Sequence, residues 1–308
     1  MKVRNFPDGP DSGVAGDLLE RARHGRRGAI VVVGLAKDVG KTVTAAALLR
    51  TAQHAGAHVA LTSIGRDGES IDAATSEAKP PLVLPAGTVV ATAVALLPRS
   101  PALEVLEITE QHAALGRIAI VRLHMQAALE VAGANTGSAM RDLVDRMRRY
   151  ADLVIVDGAV DRLAATAGGG DAVVVATGAN AAATLQGVVA RTRALVRRLS
   201  LPGAPPADAI EVDGALTPER AAGLLQRADL ERGIVVPDPF SVQLPSASFE
   251  SLRARAALWC RHPLYVVGVT VCPSGRRHDL EPVELLRAVA GATCLAAYDI
   301  YRNAMAVA

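Results

Sequence analysis

Short unbroken runs of apolar residues, alternating with stretches whose apolar positions recur every three or four residues, organise this chain. The clearest run is Ala29-Ile30-Val31-Val32-Val33, closed by Gly34. A run that does not alternate with polar residues fits a strand covered on both faces, as inside a parallel sheet. Residues 42–55 then read as an Ala/Leu helix ended by Gly56, and residues 58–64 as a second strand. Further apolar runs at 118–123, 153–156 and 172–176 alternate with helical stretches at 140–150 and 181–199. That alternation implies βαβ units, hence an α/β fold: a mostly parallel sheet with helices on both faces.

The flanks read differently. Residues 1–13 carry two prolines and two glycines and read as a loose arm, followed by a short amphipathic helix through Leu18, Leu19 and Ala22. The expected organisation is an N-terminal arm and helix over 1–27 and a nucleotide-binding domain over 28–201. Pro202-Gly203-Ala204-Pro205-Pro206 is the strongest linker signal, and a C-terminal α/β segment follows over 207–308. That segment predicts helices at 218–228 and 281–289 and strands at 234–236 and 264–271. The pattern leaves open whether it forms a separate domain or completes the same sheet.

Composition narrows the class. Half of the 308 residues are apolar and only 3% aromatic, which suits Ala-rich helices packed on Val-rich strands. The net charge of +2 is small, and no basic stripe stands out. Pairs such as Arg26-Arg27 and Arg276-Arg277 read as solvated surface, so no nucleic-acid partner is expected. Three cysteines, Cys260, Cys272 and Cys294, lack the paired spacing of a disulfide framework or a zinc site. The seven histidines show no metal-ligand spacing, and no Ser/His/Asp nucleophile set is evident. With no signal-peptide core and no apolar run of about 18 residues, the expectation is a soluble cytoplasmic protein without a membrane partner.

The chemistry concentrates in Gly34-Leu35-Ala36-Lys37-Asp38-Val39-Gly40-Lys41-Thr42. Two of the four lysines of the chain stand in this one loop. A strand, a glycine-rich turn and a helix opening at Lys-Thr direct backbone N–H groups and the positive helix end at a phosphate. On this reading Gly34, Lys37, Asp38, Val39, Gly40 and Val43 line the nucleotide. Lys41 meets the β- and γ-phosphates, and Thr42 ligates Mg²⁺. The expected fold is that of a P-loop NTPase, with ATP and Mg²⁺ as cofactors.

Two acidic residues complete the expected site. Leu153-Val154-Ile155-Val156-Asp157-Gly158 ends an apolar strand in a carboxylate, the position of a second magnesium handle. Thr62-Ser63-Ile64-Gly65-Arg66-Asp67-Gly68-Glu69 offers Asp67 as a further metal ligand and Arg66 as an anion contact, at the carboxyl end of a strand. The catalytic set is thus Lys41, Asp67 and Asp157. The glycine loops 130–135 and 177–180 are weaker candidates.

The spacing Gly-x₅-Gly-Lys-Thr resembles the loop of dethiobiotin synthetase and other deviant-Walker-A P-loop proteins. Leu35 stands where partner-activated relatives carry a signature lysine. More segments together resemble the ATPase subunit of the reactivating factor for lysine 5,6-aminomutase and related adenosylcobalamin-dependent aminomutases. They are 61–69, Val156-Asp157-Gly158-Ala159 with Arg162, Ala176-Thr177-Gly178-Ala179, Asp213-Gly214-Ala215-Leu216-Thr217, Val269-Thr270-Val271-Cys272-Pro273 and Tyr298-Asp299-Ile300. Cys272 replaces the asparagine expected there, and a thiol lacks an amide's paired donor and acceptor.

This resemblance implies a chaperone-type ATPase that uses ATP and Mg²⁺ to release damaged cobalamin from the mutase. The implied partners are the aminomutase and a second, cobalamin-binding-like subunit, and a homodimer is also envisaged. No corrinoid-binding Asp-x-His-x-x-Gly string occurs in this chain. Two alternatives remain, a dethiobiotin-synthetase-like ligase and a nucleotide-dependent regulatory or assembly protein. The ligase carries a lysine-proline pair just after its second strand, whereas Lys79-Pro80 here comes later.

Overall fold

The computed structural model describes residues 3–5, 13–24, 29–64, 81–134, 136–159 and 171–308. In chain order the strands are β1 (Val3–Asn5), β2 (Ile30–Gly34), β3 (Val59–Ser63), β4 (Leu82–Leu84), β5 (Val89–Ala93), β6 (Leu103–Ala113), β7 (Gly116–Leu123) and β8 (Ala127–Leu129). They continue with β9 (Leu153–Ala159), β10 (Ala172–Gly178), β11 (Ile210–Glu211), β12 (Ile234–Val236), β13 (Leu258–Cys260), β14 (Tyr265–Cys272), β15 (Ala297–Asp299) and β16 (Ala304–Ala306). The helices are α1 (Val14–Arg23), α2 (Lys41–His54), α3 (Gly137–Met147), α4 (Leu185–Leu199), α5 (Pro218–Leu224), α6 (Ser246–Arg253) and α7 (Pro282–Thr293).

Eleven strands form one sheet in the order β1-β16-β15-β14-β10-β2-β9-β3-β5-β7-β6. From β15 to β5 every neighbour is parallel, and antiparallel pairs close both edges. The molecule is therefore an α/β protein with a large, mostly parallel central sheet flanked by helices. Alternate residues of the central strands enter two cores. Val31, Val33, Val154, Val156, Val173 and Val175 share one with α3, α4 and α7. Ile30, Val32, Leu153, Ile155 and Val174 share the other with α1 and α2. Burial on both faces is why these strands read as unbroken apolar runs.

The run at 118–123 departs from the βαβ expectation. It belongs to β7, which pairs antiparallel with both β5 and β6. Gly116, with φ of 109°, lets the chain reverse after Ala114 and Leu115. Periodicity detects burial but not strand direction, and the polar alternation of β6 conceals its partner strand.

The chain after α4 divides its roles. Pro202, at the start of the 202–206 segment, lies against β13, where the backbone N–H of Cys260 donates to its carbonyl over 2.9 Å. β11, β12 and β13 form a small parallel sheet with a core including Leu216, Ile234, Phe249 and Leu252. The chain then returns to the large sheet, where β14 runs parallel to β10 from Ala172↔Tyr265 to Gly178↔Cys272. Among the described residues no helix is long and apolar enough to cross a membrane.

Candidate functional site

The parallel strands end together at one edge, and the loop after β2 lies in its middle. β2 is flanked by β9 and β10. The chain leaves β2 into α2 on one face of the sheet and leaves β10 into α4 on the other. Neighbouring strands whose connections depart to opposite faces open a crevice at their carboxyl ends, the usual ligand position in such sheets.

Residues 35–40 form the loop, and α2 begins at Lys41. Gly40 precedes the helix in the left-handed conformation, with φ of 85° and ψ of 15°, and contributes no side-chain cap. The first helical N–H groups and the positive end of the helix dipole are thereby left for an anion to satisfy. Asp38 is also left-handed, with φ of 55°. Val39 is buried, whereas Lys37, Asp38 and Thr42 are exposed and Lys41 and Val43 half-buried. Lys41 folds back along the loop, so that a Cβ placed on Gly34 would lie 2.5 Å from its Cγ.

Thr42 and Asp157 meet. The Thr42 hydroxyl donates to Oδ2 of Asp157 over 2.9 Å. Strand register sets this proximity, because Asp157 stands between Val32 of β2 and Ser63 of β3. A hydroxyl beside a carboxylate gives two hard oxygen donors, which fits Mg²⁺, an ion that keeps most of its waters and takes one or two protein ligands. Among the described residues no group of three or more His, Cys, Asp and Glu side chains forms a metal cluster. Asp67, with Arg66, Glu69 and Lys79-Pro80, lies outside the described residues, as do Asn135 and Arg162.

The two weaker glycine loops also reach this edge. A Cβ on Gly133 would overlap the carbonyl of Ser63, so the 130–134 segment packs directly on the end of β3. Thr92 holds that segment by donating to the Glu130 carbonyl (2.9 Å) and accepting from the Ala132 N–H (3.0 Å). On the other side, a Cβ on Gly178 would overlap the Cys272 carbonyl, which brings the ends of β10 and β14 into close contact.

Sequence reasoning missed a lock on the outer side of the loop. Arg276 Nε donates to Asp38 Oδ2 over 2.6 Å, and its backbone N–H donates to Asn180 Oδ1 over 2.9 Å. Asn180 Nδ2 in turn donates to the Asp38 carbonyl over 3.1 Å. Arg276 had been read as solvated surface, and the only sequence signal was its place just beyond the end of β14. Cys272 and Tyr301 border Gly40, at 3.7 and 3.6 Å from the position of an added Cβ. Burial pushes the Cys272 thiol up and raises the Tyr301 phenol to about 12. Both are therefore neutral near pH 7 and add no charge to the loop.

The fold and this edge define the class: an α/β protein with a large, mostly parallel sheet and a glycine-rich loop that leads into a helix at the carboxyl edge of that sheet. Comparison with protein-family models, with curated proteins and with solved structures found no match in any of the three.

Proposed function

We propose that this chain is a P-loop ATPase whose Mg-ATP site is the loop from Gly34 to Val43 with Asp157. The observation that carries the reading is the Thr42–Asp157 hydrogen bond of 2.9 Å, which pairs the first turn of α2 with a carboxylate inside β9. Mg-ATP supplies a phosphoanhydride bond to be cleaved. The backbone N–H groups of residues 37–43 bind the phosphates, and the Lys41 ammonium offsets their charge. Thr42 and Asp157 would hold the metal, with Asp67 as a further candidate.

The particular role we propose is that of the ATPase subunit of a reactivating factor for an adenosylcobalamin-dependent aminomutase such as lysine 5,6-aminomutase. It would act with a second, cobalamin-binding-like subunit. Support comes from the motifs around 61–69, 156–159, 176–179, 213–217, 269–273 and 298–300. Three of their ends, at Asp157, Gly178 and Cys272, gather at the loop. Nucleotide-dependent ordering at such an edge gives a partner surface two states.

The test is phosphate release with ATP and Mg²⁺, alone and with a cobalamin-inactivated aminomutase and the second subunit, using Lys41→Ala as control. Restored mutase activity with Lys41-dependent hydrolysis supports the reactivase. Lys41-dependent hydrolysis indifferent to the mutase removes that role and favours the ligase reading with a small acceptor. No nucleotide binding at all removes the ATPase.

A further inference from the structure

A second cleft lies beside the loop, on the side of α4 and α6. It holds about 200 Å³ and has an apolar wall made by Leu35, Leu195, Leu244 and Phe249. Two arginines of α4, Arg191 and Arg198, stand in the same lining. They are seven residues apart, two helical turns, and so share one face of the helix. Among the described residues no carboxylate lines the cleft.

The two guanidinium groups differ in what they already hold. Arg191 Nη1 donates to the Ala181 carbonyl. Among the described residues, Arg198 makes a 3.5 Å contact from Nη1 to the Val242 carbonyl, and its Nε is shielded from solvent without a hydrogen-bond partner. A buried guanidinium donor left unsatisfied is costly, and the arginine stays charged at all physiological pH. Its neighbour Arg197 turns instead to Glu250, over 3.1 Å. Arg198 is thus a half-buried cation in the lining of a cleft that combines an apolar wall with Ser246, and among the described residues that lining holds no carboxylate.

We propose that this cleft binds a small amphipathic anion, with a carboxylate or phosphate head on Arg198 and a short aliphatic body against Leu35, Leu195, Leu244 and Phe249. A planar guanidinium matches either head group in a bidentate fork. Leu35 also follows Gly34 in the loop of the nucleotide site, so the occupant touches that loop directly. The inference does not depend on the nucleotide reading.

The test titrates the full chain with hexanoate, hexyl phosphate and hexan-1-ol, read by calorimetry and by ligand-observed NMR. One or both anions bind saturably, in the millimolar range or below, and the alcohol binds at least about tenfold more weakly. Tighter hexanoate assigns a carboxylate ligand, and tighter hexyl phosphate a phosphorylated one. Arg198→Gln weakens the anion by at least about tenfold, whereas Arg197→Gln leaves it unchanged. Ala194→Met, which fills the cleft without altering charge, abolishes binding and serves if Arg198→Gln fails to fold. Absence of saturable anion binding, or binding undiminished in Ala194→Met, overturns the proposal.

Discussion

The hydroxyl of Thr42 reaches the carboxylate of Asp157 across 115 positions of sequence, at 2.9 Å. Two parallel pairings produce this contact, β2 with β9 and β9 with β3, which set Asp157 beside the first turn of α2. If the pair holds magnesium, substitutions at Lys41 and Asp157 separate. Lys41→Ala abolishes ATP hydrolysis, and normal turnover in this variant would remove the site. Asp157→Asn keeps an acceptor for Thr42, so its melting temperature stays close to that of the parent. The magnesium concentration for half-maximal hydrolysis rises by about tenfold or more, consistent with loss of a charge-assisted contact.

Two glycine-to-alanine changes give opposite outcomes. At Gly34 the added methyl meets the flexible stem of Lys41, which can swing away. Gly34→Ala therefore folds, and if the loop holds the proposed nucleotide, affinity for it falls by at least about tenfold because Lys41 is displaced. At Gly178 the methyl meets the backbone carbonyl of Cys272, which is fixed by the β10–β14 ladder. Gly178→Ala destabilises the fold by about 1–3 kcal/mol, the cost of overpacking a core. Thermal unfolding and a fluorescent-nucleotide titration of both variants check the contrast.

The Asp38–Arg276 pair positions the loop more than it stabilises the fold. Both side chains are about half exposed, at 52% and 54%, so the ion pair contributes no more than about 1 kcal/mol. Asp38→Asn preserves the left-handed backbone and costs little. Asp38→Val places a β-branched residue at φ of 55° and costs a further 1–2 kcal/mol or so. Equal denaturation midpoints for the two variants would exclude that conformation at residue 38.

Asp171 gives the molecule a defined pH response. Burial raises its carboxyl to about 6, against the ordinary value of 3.8, although it accepts the Ala29 N–H over 2.8 Å and has Arg148 at 3.7 Å. The folded state then binds more protons than the unfolded chain between those two values. Stability falls as pH rises through that window and levels off above about 6, by at most about 3 kcal/mol. Asp171→Asn removes this loss, so its stability relative to the parent improves more at pH 7.5 than at pH 4.5. Urea denaturation at the two pH values is the measurement, and an equal difference at both would refute the assignment.

Tyr298 is fully buried and donates to Asp17 Oδ2 over 2.6 Å, joining the last strands to α1. Burial and the adjacent carboxylate raise its phenol above the ordinary range. Tyr298→Phe lowers stability by about 1–3 kcal/mol, the cost of removing a hydrogen bond to a charged group, in equilibrium unfolding at pH 7.5.

Much of this architecture was legible in the chain because burial on two faces leaves a local trace. Ile30 to Val33, Val154 to Val156 and Val173 to Val175 announced the central strands, and Gly40-Lys41-Thr42 announced the start of α2. The same locality limits what pattern reveals. Direction was lost at β7, which alternation placed among parallel units, although a hairpin turn at Gly116 makes it antiparallel.

By itself the sequence determined the α/β class, the glycine loop and Asp157 as the carboxylate of an apolar strand, since each rests on neighbouring residues and short-range sterics; the strand continues past Asp157 to Ala159 rather than ending there. Only the tertiary structure decided that β14 returns beside β10 after an intervening small sheet, and that Arg276 and Asn180 close on Asp38. It likewise decided that Arg198 lines a cleft beside Leu35. These relationships join residues tens to hundreds of positions apart. Pairing register and side-chain packing fix them, and neither leaves a period in the local sequence.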